Sequence, residues 1–257
     1  MTTRIADIDD SDTPAIDNCA RITWYFRADG SEEMVWDWQR HGAPSVAQLA
    51  PVRMPRSSAS NRHIPVTAYS MTNAGVVHLE SGLEHDLVRR LDRDSTITHI
   101  VSQPLRLSWT APEPGRHTPD LLTSHDDGAV TVWDVRAVDE QDDDFRRKSA
   151  VTRKACSAVD WRYEVFTGLG HNERLNLMWL NGFRGRSAWT DRFEDEIRRD
   201  ASSRDATIGT LFARDDGTGE VKSAVWHLLW SGVLHADLDT RWTLHTAVAV
   251  CGEVNNV

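Results

Sequence analysis

Leu83, Leu87 and Leu91 recur every fourth residue, which predicts one apolar face of a helix running from Ser81 to near Asp94. β-type runs lie on both sides of it. Residues 22–26 (Ile-Thr-Trp-Tyr-Phe) predict a strand, and residues 97–107 predict another in which Pro104 marks a bulge or an edge. Two further runs, 120–125 and 129–135, are joined by Asp126-Asp127-Gly128, a three-residue hairpin turn with glycine where a left-handed residue is needed. A helix over 145–159 and a short strand over 163–167 follow. Helix, short meander, helix, strand is the order of a mixed α/β core.

Beyond Gly168 the pattern turns mainly helical, over 174–183, 189–199, 207–213 and 221–233, and residues 237–250 predict a closing β-ribbon. Helices followed by a ribbon give a winged-helix layout. Residues 1–20, with Asp7, Asp9, Asp10, Asp12 and Asp17 and no hydrophobic period, predict a mobile arm. Residues 43–61, with Pro44, Pro51, Pro55 and a serine-rich patch, predict loop. The expected organisation is an acidic arm over 1–20, a strand and loop extension over 21–78, a core over 79–168 and a C-terminal domain over 169–257.

Composition narrows the function classes. The chain has 257 residues, 40% hydrophobic and 26% charged, which excludes a fibrous or fully unfolded protein. Its apolar runs fall short of the ~20 residues that a membrane helix needs. The opening residues lack a basic start and an apolar segment, so a cytoplasmic protein is expected. Cys19, Cys156 and Cys251 are too far apart for a metal pair and odd in number for a disulfide framework. The net charge of −10 argues against an extended phosphate-binding surface but leaves room for a local groove. Among 29 cationic residues only Lys148, Lys154 and Lys222 are lysines; the rest are arginines, the better planar partner for phosphate, although a GC-rich genome gives the same bias. No histidine pair has zinc-hydrolase spacing, and no glycine-rich loop ends in Gly-Lys-Ser/Thr, so neither zinc hydrolysis nor ATP binding is expected of the chain itself.

The hairpin turns spacing into chemistry. A three-residue turn centred on Asp127 sets Asp120 directly opposite Asp134, with Cβ atoms ~5 Å apart on one face. Two carboxylates so placed repel unless a cation lies between them, and hard Mg²⁺ with carboxylate and water ligands suits the position. A two-residue turn would slip the register and point Asp134 away. Arg136, two residues past Asp134, brings a fixed positive charge to the same face and suits a phosphate. Glu84 is close in angle to Leu87 and Leu91, so it leans inward as a third carboxylate. Ser81-x-x-Glu84 is also a capping box, in which Glu84 bonds back to the helix start; the spacing supports both roles.

A helix carboxylate, a Pro-Asp on the first strand of a hairpin and an acidic residue two before a cation on the second form the PD-(D/E)xK nuclease arrangement. The stretch Val77-His-Leu-Glu-Ser-Gly-Leu-Glu84, then Gln103-Pro104, His117-Thr-Pro-Asp120 and Trp133-Asp134-Val135-Arg136, resembles TnsA-type heteromeric transposase endonuclease subunits, in order and spacing over residues 60–250. The resemblance implies a restriction-endonuclease-like mixed sheet core flanked by helices, followed by a winged-helix-like C-terminal domain. It implies a subunit that cuts the 5′ ends of a transposon in double-stranded DNA, beside a DDE-type transposase and an AAA+ ATPase regulator, using Mg²⁺ with Mn²⁺ as substitute. By the same resemblance Glu84, Asp120 and Asp134 are the metal shell and Arg136 stands at the catalytic lysine. That last position departs from the family. Arginine stays protonated near neutrality and cannot act as a base, though it can hold the scissile phosphate. Lys148 is the other candidate for the lysine's role, but Arg146-Arg147-Lys148 fits a solvated or DNA-facing run better. Gln103 matches a glutamine that the family places ahead of its proline, either fixing the core or touching the water, and the structural reading fits better.

In the C-terminal half Trp226 and Trp230 share one helix face, either as an anchor for a protein partner or as core. Residues 169–257 hold 13 acidic and 10 basic side chains, so a basic DNA-reading helix is not supported there. Two other functions fit the same residues: a nuclease-like adaptor that has lost turnover but bridges transposase, regulator and DNA, and a restriction or junction-cleaving nuclease sharing only the core.

Overall fold

The computed structural model describes residues 22–28, 31–36, 38–53, 66–111 and 113–252. The expected acidic arm over 1–20, Cys19 and most of the serine-rich patch lie outside the described residues. The chain forms two compact units, the first including Thr96–Gly168 and the described residues up to Val88, the second including Arg89–Ser95 and the described residues after Gly168.

The elements of the first unit are β1 (Thr23–Ala28), β2 (Met34–Trp36), α1 (Trp38–His41), β3 (Leu49–Ala50), β4 (Val66–Ser70), β5 (Gly75–Leu79), α2 (Gly82–Leu91), β6 (Ile97–Ser102), β7 (Leu105–Trp109), β8 (Gly115–His117), β9 (Leu121–His125), β10 (Val130–Val135), α3 (Asp143–Ser157) and β11 (Arg162–Phe166). The last residues of α2 cluster with the second unit. One sheet runs β2-β1-β7-β8 with β3 on β1; the other runs β11-β10-β9-β6; β4 and β5 pair with each other. In the second sheet β10 and β11 are parallel, so the chain between them must cross over, and α3 makes that crossing. The fold is mixed α/β, with several antiparallel pairings flanked by helices.

Residues 97–107 do not form the single strand that their β-type run suggests. The run breaks at Gln103–Pro104 into β6, which joins β9, and β7, which joins β1 and β8. Proline removes a ladder donor, and Gln103 takes a left-handed backbone with φ of 46°, so the chain turns from one sheet into the other. Residues 43–53, expected as loop, contain a short 3-10 turn over Val46–Gln48 and then β3.

Alternation then builds the core. Trp24 and Phe26 lie opposite Leu107 and Leu105, and all four are buried. They share one cluster with Leu122, Val130 and Val132 from the hairpin, Val151, Ala155 and Cys156 from α3, and Tyr163 and Val165 from β11. Asp142 caps α3, its carboxylate accepting from Phe145 N at 2.8 Å. On α2, Leu87, Val88 and Leu91 are buried and Leu83 is partly so.

The second unit contains α4 (His171–Leu180), α5 (Ala188–Ala201), α6 (Ile208–Phe212), α7 (Glu220–Trp230), β12 (Leu234–His235) and β13 (Ala249–Val250). The ribbon expected over 237–250 does not form. β12 and β13 pair over only two residues each, and the chain between them is held by turns, with the Trp242 indole donating to Asp237 O at 2.7 Å. Asp237, Asp239 and Thr240 interrupt the alternation with side chains that favour local turns over a ladder. Trp226 and Trp230 are partly buried against the helical core, and Trp226 stacks on Trp242 at 5.8 Å.

Gly128 closes the β9–β10 turn with φ of 84°, and a Cβ there meets nothing within 4 Å. Its requirement is therefore purely conformational. Gly128→Val should cost ~1–2 kcal/mol in urea unfolding and Gly128→Asn clearly less, because asparagine tolerates the left-handed region. Equal costs would contradict a left-handed residue in the turn.

Candidate active site

The hairpin pairs Leu122 with Val132 and Leu121 with Trp133. Beyond that pair the ladder is interrupted: Asp120 precedes β9, and its N–H donates at 3.0 Å to Trp133 O, the carbonyl opposite Leu121, so the direct opposition of Asp120 and Asp134 expected from the three-residue turn is not part of the strand register. The two side chains then find different partners. Asp120 Oδ2 accepts from Val135 N at 2.7 Å, while Asp120 O accepts from Gln103 N at 2.8 Å. Burial, with the charges of Asp134, Glu84 and Glu80 added to it, holds the Asp120 carboxyl well above the usual carboxylate range; the bond from Val135 offsets only part of this.

Glu84 makes the capping contacts that its spacing allowed, and its side chain is buried. Its N–H donates to Ser81 Oγ at 3.1 Å, its Oε1 accepts from the Ser81 hydroxyl at 3.0 Å, and its Oε2 accepts from Glu80 N at 2.9 Å. This capping arrangement lies on the inward face of α2, with Glu84 only 4% exposed. Desolvation raises its pKa, against the lowering effect of the Glu80 and Ser81 bonds and of the Arg53 charge.

Asp134 is the most enclosed of the three carboxylates, at 1% exposure. His117 Nε2 lies 2.7 Å from Oδ2 and 2.9 Å from Oδ1, and the Tyr163 hydroxyl donates to Oδ2. Tyr163 Oη is also 2.9 Å from Ser149 Oγ, so the polar chain continues onto α3. Burial and the Asp134 charge push the Tyr163 hydroxyl well above its usual range, and burial pushes the neighbouring Cys156 thiol up to about 12. Cys156 is thus an inert core thiol.

Arg136 follows β10, but its guanidinium turns to the loop: Nε donates to Glu140 O at 3.0 Å and the group lies 5.9 Å from the Phe145 ring centre. Lys148 pairs with Asp144 at 2.6 Å, Arg146 with Asp143 at 2.9 Å and Arg147 with Asp144 at 3.0 Å, so the basic run is ion-paired along α3.

Two residues beside the carboxylates, Glu80 and Arg53, are not singled out by the sequence, and Arg53 joins Glu80 to Gln103. Glu80 Oε2 accepts from Arg53 Nη2 at 2.8 Å, and Arg53 Nε donates to Gln103 Oε1 at 2.8 Å. Gln103 is fully buried. Glu80 carried a weak signal, one helical turn before Glu84. Arg53 carried none, because its proline-rich surroundings look like any loop.

Among the described residues no three His, Cys, Asp or Glu side chains already form a metal shell. The donor chemistry nevertheless fits a hard cation. Asp120 Oδ2 is engaged by Val135 and Oδ1 accepts no hydrogen bond among the described residues, while Glu84 oxygens each keep a second lone pair. Mg²⁺ needs only one or two carboxylates when waters and phosphate complete its shell. No known protein-family model matches the chain, and no curated protein matches it.

The raised Asp120 pKa gives a signed prediction. The folded state holds this proton more tightly than the unfolded state, whose carboxyl titrates near the ordinary 3.8. Stability is therefore lost as pH rises from that value through the folded pKa. Without divalent metal, Asp120→Asn should melt at least ~2 °C above wild type at neutral pH, with the gap closing towards pH 4. A variant less stable at every pH would contradict this electrostatic account.

Proposed function

We propose that the chain is a Mg²⁺-dependent DNA endonuclease subunit of the TnsA type, hydrolysing phosphodiester bonds at the 5′ ends of a transposon. What carries the reading is that the Asp120 carboxyl, with one backbone bond from Val135, is held well above its usual range by burial and by the charges of Asp134, Glu84 and Glu80, a charge balance that a bound cation would shift. The order α2, β6, β9, β10, α3, β11 supports a restriction-endonuclease-like core, with Glu84 on the helix and Asp120 and Asp134 on the hairpin. For the second unit a winged-helix-like partner domain is proposed, with a much reduced wing. Its partners in this reading are the DDE-type transposase and the AAA+ regulator, and the cytoplasm is the proposed location.

In this mechanism Asp120 and Glu84 would hold the cation, and Asp134, oriented by His117 and Tyr163, would add negative charge to the site. A bound divalent ion supplies a lowered water pKa and neutralises charge on the phosphate. Arg136 is assigned to the scissile phosphate, which requires it to leave Glu140; it is a phosphate ligand and not a base.

A second reading, the adaptor without turnover, is favoured by the enclosure of Asp134 between His117 and Tyr163 and by the turning away of Arg136. The two separate in a cleavage assay on duplex DNA carrying the transposon end, with the DDE-type partner and Mg²⁺ present. The endonuclease reading expects scission of the 5′ strand that needs metal and falls to background in Asp120→Ala and Glu84→Ala. Transposition that is insensitive to Asp120→Ala would overturn it in favour of the adaptor. Cutting at junctions or sites unrelated to transposon ends would point to a restriction or junction nuclease.

A further inference from the structure

Among the described residues an arginine from outside the hairpin and the helix is in direct contact with the cluster. Arg53 bridges Glu80 and Gln103 at 2.8 Å each, and its charge acts on Glu84. Its side chain is 54% exposed, so a ligand has access to the guanidinium. An ion pair this open contributes little to stability and does not by itself account for the arrangement.

Gln103 supplies the second observation. Arginine has no acceptor, so the atom facing Arg53 Nε must be the amide oxygen. The amide nitrogen is then left buried with no hydrogen-bond partner among the described residues. Such a donor is costly to leave unpaired. The residue is also held in a left-handed conformation, its N–H donating to Asp120 O at 2.8 Å and its carbonyl accepting from Val52 N at 2.9 Å. Backbone strain of this kind persists where the surroundings over-determine it. Gln103 thus ties an unused donor and the Arg53 guanidinium to the backbone of Asp120.

We propose that Arg53, with the Gln103 amide beside it, is a phosphate-binding element of this site, taking a non-bridging oxygen pair of a nucleic-acid phosphodiester. A guanidinium matches two oxygens of a tetrahedral phosphate, and the adjacent amide N–H₂ adds a neutral donor. The inference rests on the nuclease reading for the identity of the anion.

The test is binding of the full chain to a short DNA duplex by fluorescence anisotropy across a salt series, once with Ca²⁺ and once with EDTA, alongside Mn²⁺ titration of each variant. Arg53→Ala should weaken binding and reduce the salt slope by about 0.9, the value for one lost phosphate contact, while Mn²⁺ binding persists. Arg53→Lys should keep the slope, which guards against misfolding as the cause. Unchanged affinity and slope in Arg53→Ala, or no duplex binding by wild type in either buffer, would overturn the proposal. If wild type binds no Mn²⁺ but Arg53→Ala still loses the slope in EDTA, the phosphate element stands and the metal-dependent nuclease reading fails.

Discussion

Like charges held near one another with little water are unstable, and the first unit is organised around one such place. Asp120 directly precedes the first strand of the hairpin, and the charges of Asp134 on the second strand, Glu84 on α2 and Glu80 just before that helix act on it. Ordinary structural needs do not require this. Asp134 is satisfied by His117 and Tyr163, and Glu84 by a helix cap, yet Asp120 has one backbone bond to its carboxylate and several negative neighbours. A divalent cation would resolve that imbalance, which is why the carboxylates, and not the basic residues, carry the functional reading.

The scaffold explains how the groups come so close. A turn with Gly128 in a left-handed conformation sets the register that pairs Leu121 with Trp133, and Asp120 and Asp134 flank that last pair of the ladder. Gln103, left-handed before Pro104, turns the chain from one sheet to the other and donates to Asp120 O on the way. The sheets and α3 share one apolar cluster, so these backbone positions are backed by buried Trp24, Phe26, Leu105 and Val132. A rigid backing of this sort is what allows a repulsive cluster to persist.

Local signals in the amino-acid sequence indicated much of this. The spacing of Leu87 and Leu91 marked α2, and the Asp-Asp-Gly turn marked both the hairpin and its register, because each depends on a few adjacent residues. The division of 97–107 between two sheets was hidden, since a β-type run does not tell which partner each half will join; Gln103–Pro104 read as a bulge instead. The ribbon over 237–250 failed for the opposite reason: alternation was present, but Asp237 and Thr240 spend their side chains on turns. At the site the carboxylates were visible by spacing. The contacts of Arg53, Glu80 and Tyr163 arise only from tertiary packing, over separations that no periodicity reports. Arg136 occupied the expected place on the chain, yet Glu140 and Phe145 draw its head group aside.

The central claim is that Asp120 is the focus of a cation site. Electron paramagnetic resonance of Mn²⁺ added to the full chain, wild type against Asp120→Asn, addresses it most directly. The account predicts saturable binding by wild type that is lost in the variant. Equal binding in both, or none in either with duplex DNA present, would contradict it.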